Sequence, residues 1–173
     1  MNDLETLGKT PNTVVLSVGA TIFDEKKIIG KKEWFLNLDE QLKTRKVDAD
    51  TLLWWMQQGD AARDVFTRVV NGISLKHFCI EFINFYNSQE ADLAVWGNGA
   101  SFDIPIIEDM LLSNGFNIPW KFWDIRCYRT VKKVHQIEKG RPRTGVRHAA
   151  LDDAVYQAEC LRAFFEVAPE YDA

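Results

Sequence analysis

The sequence predicts an α/β protein on a mixed five-stranded sheet, an antiparallel meander followed by parallel strands, flanked by helices. Two observations carry this. β-Branched and apolar runs fill the opening segments, and helical three-to-four spacing then takes over. Further on, strand, helix, strand and closing helix alternate, an order that builds parallel pairing in a mixed sheet.

Residues 1–6 read as a short first strand and residues 8–12, with Pro11, as a turn. Residues 13–24 read as a long second strand, and residues 32–38, just after Gly30, as a third in hairpin spacing with it. Asp50 is placed to cap a helix over residues 51–58 that stops at Gly59. A second short helix is expected over residues 61–70. A third starts near Ser74, with Leu75, Phe78, Cys79, Phe82, Ile83 and Tyr86 on one stripe. Residues 91–96 return to strand and Gly97-Asn98-Gly99 breaks it. Residues 102–112 form a helix ended by Asn114-Gly115. Residues 120–126 give a last strand, followed by a helix to about residue 136, a basic loop over residues 139–145 and a closing helix over residues 149–167. No repeat or linker interrupts the chain, so residues 1–173 are expected to form a single domain.

At 173 residues, with 46% apolar and 27% charged residues, the composition is that of a folded domain with a real core. No apolar run approaches the roughly 20 residues of a membrane helix, and because Met1 leads straight into acidic, patterned sequence no signal peptide is expected. Cys79, Cys127 and Cys160 are odd in number and lack zinc-ligand spacing. They read as buried thiols in a reducing compartment such as the cytoplasm. A net charge of −4 argues against a protein that coats nucleic acid with a basic surface. It permits an enzyme working at a strand end, where bound cations supply positive charge locally.

Three acidic elements stand out. Alternation along the first strand puts Asp3 and Glu5 on one face and Leu4 on the other. Carboxylates that close repel, and a divalent cation with hard oxygen ligands, magnesium or manganese, is the usual remedy. Asp103 follows a strand and a glycine turn. A helix-capping aspartate is the bland account, but the glycines let a substrate backbone approach. In the third element His148 precedes a helix whose first turn carries Asp152 and Asp153. These acids suit the helix dipole, or one of them ligates metal beside a general base. Helical phase leaves both acids open, since both flank the apolar stripe.

Together Asp3-Leu4-Glu5-Thr6-Leu7-Gly8, Trp96-Gly97-Asn98-Gly99-Ala100-Ser101-Phe102-Asp103 and Arg147-His148-Ala149-Ala150-Leu151-Asp152-Asp153-Ala154 resemble the DEDDh exonucleases. These are proofreading-type 3′→5′ exonucleases with a ribonuclease H-like fold. The likeness spans essentially the whole chain and is greatest to the exonuclease VIII-like and phage-encoded 3′→5′ branch. It implies that Asp3, Glu5, Asp103, His148 and Asp153 are catalytic, selecting Asp153 over Asp152 by its five-residue distance from His148. It implies two magnesium or manganese ions per site, held by Asp3, Glu5, Asp103 and Asp153, with His148 as general base. The implied substrate is the 3′ end of single-stranded DNA or RNA, released as nucleoside 5′-monophosphates.

Substrate contacts are expected from Leu4 and Thr6 beside the acids, from Phe102, and from the helical pair Trp54 and Trp55. Adjacent helical residues point about 100° apart, so one tryptophan is expected in the core with the other stacking on a base, and core packing of both is the equal alternative. Gln58, Arg126, Arg129, Arg143 and Arg147 are candidate phosphate contacts, with solvated surface as the default for each. The competing readings are a catalytically silent nucleic-acid-binding module on the same fold and a phosphoesterase for small nucleotides. The tryptophans and phenylalanines suit a homodimer face as well as they suit core packing.

Overall fold

The computed structural model describes residues 1–89 and 93–168. Its strands are β1 (Asn2–Thr6), β2 (Val15–Phe23), β3 (Ile28–Phe35), β4 (Val95–Gly97) and β5 (Ile125–Cys127). They form one sheet in the order β3-β2-β1-β4-β5. The first three strands pair antiparallel, whereas β4 runs parallel to both β1 and β5. This is the mixed sheet the element order predicts, with β1 at its centre. The helices are α1 (Leu38–Gln41), α2 (Ala49–Met56), α3 (Asp60–Arg63), α4 (Val65–Arg68), α5 (Leu75–Tyr86), α6 (Asp103–Ser113), α7 (Tyr128–His135) and α8 (Ala150–Val167). Among the described residues no helix is long and apolar enough to cross a membrane.

Alternation divides β1 between two cores. Leu4 packs with Val18, Trp34, Phe78, Phe82, Ile107 and Met110, so α5 and α6 cover its face. Trp96, Tyr128, Ala154, Leu161 and Phe165 form the opposite core beneath α8. A third cluster closes the end of the meander with Leu7, Leu16, Trp55 and Val65. Trp55 is 1% exposed, and its indole N–H donates to the Thr6 carbonyl at 2.8 Å, which ties α2 to the end of β1.

One close approach sets the position of α8. A β-carbon at Gly19 would lie 2.2 Å from the carbonyl carbon of Ala150. Only glycine lets the helix start lie that close to β2. Gly19 is the register partner of Asp3, so the first turn of α8 is set down beside the acids of β1.

Several expected boundaries move. β2 begins at Val15, because Thr13 instead makes an isolated parallel bridge to Lys46. β3 begins at Ile28 rather than residue 32. Gly30 pairs with Ile22 inside the strand, with the Phe85 ring against it. The cap of α2 is Asp48, whose carboxylate accepts from the Thr51 N–H at 2.9 Å, while Asp50 lies in the first turn. Residues 61–70 do not form one helix. They divide between α3, α4 and a 3₁₀ turn over Val69–Asn71. The strand expected over residues 91–96 is observed as Val95–Gly97, with residues 91 and 92 outside the described residues. Gly97 therefore closes β4 rather than breaking it. The last strand is shorter than residues 120–126, because a 3₁₀ turn over Phe122–Asp124 precedes it.

Candidate active site

Asp3 is 5% exposed at the centre of the sheet. Its Oδ1 accepts from the Gln157 side-chain amide at 2.8 Å and from that of Asn98 at 3.3 Å. Burial pushes its pKa up to about 6, against the hydrogen bonds from Gln157 and Asn98 and the fields of Arg143 and Arg129. Glu5, two residues along and equally buried, shares that face of β1. Burial, and then the charges of Asp3, Asp103 and Glu33, hold it well above the ordinary carboxylate range.

Asp103 is the first residue of α6, directly after the turn that follows β4. Its Oδ2 accepts from the Gly99 N–H at 2.8 Å, so it does bind turn backbone as a capping residue would. It is also 2% exposed, and burial together with the charge of Asp3 raises it to about 8. Glycine at position 97 makes room for this carboxylate, since a β-carbon there would lie 3.1 Å from that of Asp103.

His148 adopts the left-handed conformation, φ 63°. That conformation costs a non-glycine residue free energy and clusters at functional sites. Here its backbone N–H reaches Asp153 Oδ2 at 2.9 Å, while its ring stands edge-to-face on Trp54 with centroids 4.9 Å apart. Burial, then Arg143 and Arg147, hold the imidazole below its ordinary pKa. The other oxygen of Asp153 takes the guanidinium of Arg143, which lies over the Tyr156 ring at 4.4 Å. Asp152 points elsewhere, accepting from the Val146 N–H at 2.7 Å and packing at Gly145. The two acids that helical phase left open thus have different surroundings.

Asp3, Glu5, Asp103, His148 and Asp153 line one cavity of about 520 Å³, whose rim carries Arg129, Arg143 and Arg147. Leu4, Thr6, Trp54, Trp55 and Phe102 line a neighbouring cavity of about 490 Å³. Leu4, Glu5 and Phe102 belong to both. The tryptophan pair divides as the 100° rule requires: Trp55 is core, and Trp54 is 40% exposed beside His148. Gln58 lines neither cavity and donates to the Trp54 carbonyl of its own helix. Arg126 lines neither as well, with its guanidinium on the Trp123 carbonyl.

Sequence reasoning missed Gln157, Asn98 and Tyr156. A signal existed for Gln157, which lies one helical turn beyond Asp153 and so on the same side of α8. Asn98 sits inside the glycine turn, where only the fold shows its side chain reaching Asp3.

The donor set fits a hard divalent cation. Glu5, His148 and Asp153 each offer a ligand atom within 4.8 Å of the other two. Asp3 and Asp103 bring two more carboxylates to the same cavity. Gln157 turns its amide N–H₂ to Asp3, and its buried Oε1 has no partner among the described residues.

The chain is similar to the exodeoxyribonuclease of enterobacteria phage T4, 27% identical over 157 residues, covering 74% of this chain and 67% of that protein. Its fold is similar to a product-bound structure of exonuclease I, with a TM-score of 0.61 and 12% identity. That alignment covers 98% of this chain but 42% of the exonuclease I chain, so this chain spans less than half of that protein. The family model of the 3′-5′ exoribonuclease Rv2179c-like domain matches residues 1–165. The chain belongs to the Rv2179c-like family of 3′-5′ exonuclease domains.

Proposed function

We propose that this domain hydrolyses single-stranded nucleic acid one nucleotide at a time from the 3′ end, releasing nucleoside 5′-monophosphates by DEDDh chemistry. The observation that carries this reading is the convergence of Asp3, Glu5, Asp103, His148 and Asp153 on one cavity from β1, the β4–α6 turn and α8. Asp3, Glu5 and Asp153 would hold one magnesium or manganese ion, and Asp3 with Asp103 a second. Bound there, the ions would acidify a water and offset charge on the scissile phosphate and the leaving oxygen.

The protein's own groups do the rest. Burial, then Arg143 and Arg147, favour the neutral form of His148, the form that can take a proton. Its backbone N–H orients Asp153, as Gln157 and Asn98 orient Asp3. The adjoining cavity takes the terminal nucleotide, with Trp54 offering a face to the base and Leu4, Thr6 and Phe102 bordering the sugar. The site draws on residues from Asp3 to Gln157, which supports a single catalytic domain. Three unpaired cysteines fit a reducing compartment such as the cytoplasm.

The test uses 5′-labelled single-stranded DNA and RNA with manganese. Wild type should give a ladder shortening from the 3′ end, erased by chelator. Asp3→Ala should slow it about a thousandfold, a loss of several kcal/mol of transition-state stabilisation. His148→Ala should slow it about a hundredfold or more. No ladder on either sugar, with manganese bound, would move the protein to the silent binding-module reading.

A further inference from the structure

Two aromatic rings stand in solvent well away from any core. Phe122 is 79% exposed and Trp123 58%, with centroids 4.7 Å apart in an edge-to-face pair. They sit in the 3₁₀ turn that leads into β5, the edge strand. Side chains this large and apolar are rarely left adjacent and exposed unless they bind something. Their neighbours are cationic. Lys121 lies 5.6 Å from the Trp123 ring, and Arg126 donates to the Trp123 carbonyl at 2.5 Å.

The chain's charge is divided sharply about this region. Residues 121–147 hold nine lysines and arginines against two acids, whereas the rest of the chain holds twelve against twenty-three. An overall acidic protein thus concentrates its positive charge in one segment, which runs from the aromatic pair to the active-site rim. The connection is made by contact. From Arg126 the chain passes to Cys127, which pairs with Gly97. The Arg129 backbone N–H then bonds the Asn98 carbonyl at 2.9 Å, and its guanidinium covers Gly99, whose N–H holds Asp103.

We infer that Phe122 and Trp123 form a second nucleic-acid contact, a stacking platform for bases upstream of the 3′-terminal nucleotide. The cations between it and the acids bind the intervening phosphates. This rests on the proposed exonuclease reading and adds a footprint beyond the terminal nucleotide. Exposed rings beside arginines are the chemistry of sequence-tolerant single-strand binding, because every base presents a π face. A negatively charged polymer matches this segment, and the acidic remainder of the surface repels it.

The experiment titrates the Asp3→Asn protein, so that binding is read without turnover, against 5′-fluorescein trinucleotide and dodecanucleotide strands by anisotropy. Adding Phe122→Ala and Trp123→Ala should weaken dodecanucleotide binding about tenfold, the effect of removing one base–aromatic stack of about 1.4 kcal/mol. Trinucleotide binding should be unchanged, and Trp123→Phe should keep most of the affinity. Lys121→Ala with Arg126→Ala should flatten the salt dependence of dodecanucleotide binding by about 0.7 for each phosphate no longer neutralised. Equal losses at both lengths, or none, overturn the inference. So does a fall in sedimentation mass in the aromatic variant with dodecanucleotide affinity intact, which would make this face a contact between two copies. Failure of wild type to trim a 3′ end would sink the exonuclease reading while leaving the length-dependent binding standing.

Discussion

Arg143 holds Asp153 through its guanidinium while resting on the face of Tyr156, so the acid that faces Glu5 and His148 already has a cation at one oxygen. A metal ligated by Asp153 competes with that guanidinium. Arg143→Met should therefore tighten manganese binding about tenfold by calorimetry, since a hydrogen bond to a charged group contributes about 1.5 kcal/mol. The same variant should melt lower in chelator, where Asp153 has lost its counterion. Unchanged manganese affinity would mean that the pair persists in the loaded site.

The raised carboxylates link stability to pH. Asp3 titrates near 6 and Asp103 near 8 in the fold, with Glu5 also well above the ordinary range. From the ordinary carboxylate range up to about pH 8, the folded protein therefore binds more protons than the unfolded chain, and stability falls as pH rises. Carboxylates held low, such as Asp48 and Glu138, are ionised throughout that window. The buried Met1 amine, lowered to about 5, and His148, also held low, oppose the fall but are outnumbered by the three raised carboxylates. Melting temperatures in chelator should drop between about pH 5 and about pH 8. Manganese should restore them, most strongly at the upper end. A melting temperature flat or rising over this range would show that the cluster is not the titrating unit.

As the proposed general base, His148 should give the rate its own pH dependence. It accepts a proton only when neutral, and burial with Arg143 and Arg147 lowers its pKa. With manganese saturating, log kcat should climb with unit slope and level off below the ordinary histidine value of about 6.5. His148→Ala should remove that inflection along with most of the rate. An inflection in wild type well above neutrality would assign the proton transfer to another group.

Gly19, opposite Asp3 in the sheet, is where a single added methyl group should do great damage. A β-carbon there meets the Ala150 backbone, which cannot swing aside as a side-chain tip can. Overpacking of this kind costs about 1–3 kcal/mol, a fall of roughly 3–10 °C in Tm at this chain length. Because α8 carries Asp153, Gly19→Ala should also lower kcat with KM little changed. A stable variant of full activity would show that α8 is positioned by its apolar stripe alone.

Most of the sheet was legible from local pattern, whereas the five acid and imidazole positions stood out only when three short motifs were taken together as a family resemblance. Alternation sorts Asp3 and Glu5 from Leu4, a glycine turn precedes Asp103, and His148 lies five residues before Asp153. What escaped rests on contacts made across the fold. Asn98 and Gln157 meet Asp3 over 95 and 154 residues of sequence. Gly30 was placed just ahead of the third strand because nothing local shows its pairing with Ile22 or the Phe85 ring against it. Asp48 and Asp50 are equally good caps by type, and the fold chose the one whose carboxylate meets the Thr51 N–H. Gln58 was a candidate phosphate contact, yet its side chain turns back onto its own helix.

The close seating of Ala150 on Gly19 also has a meaning in time. Chains emerge from the ribosome amino end first, and this one exposes Asp3, Glu5 and Asp103 long before His148 and Asp153 arrive with α8. Until that helix settles against Gly19, the growing polypeptide holds three of the five residues of the proposed site. The proposed active site is therefore assembled only when α8 docks on the sheet that already holds the other acids.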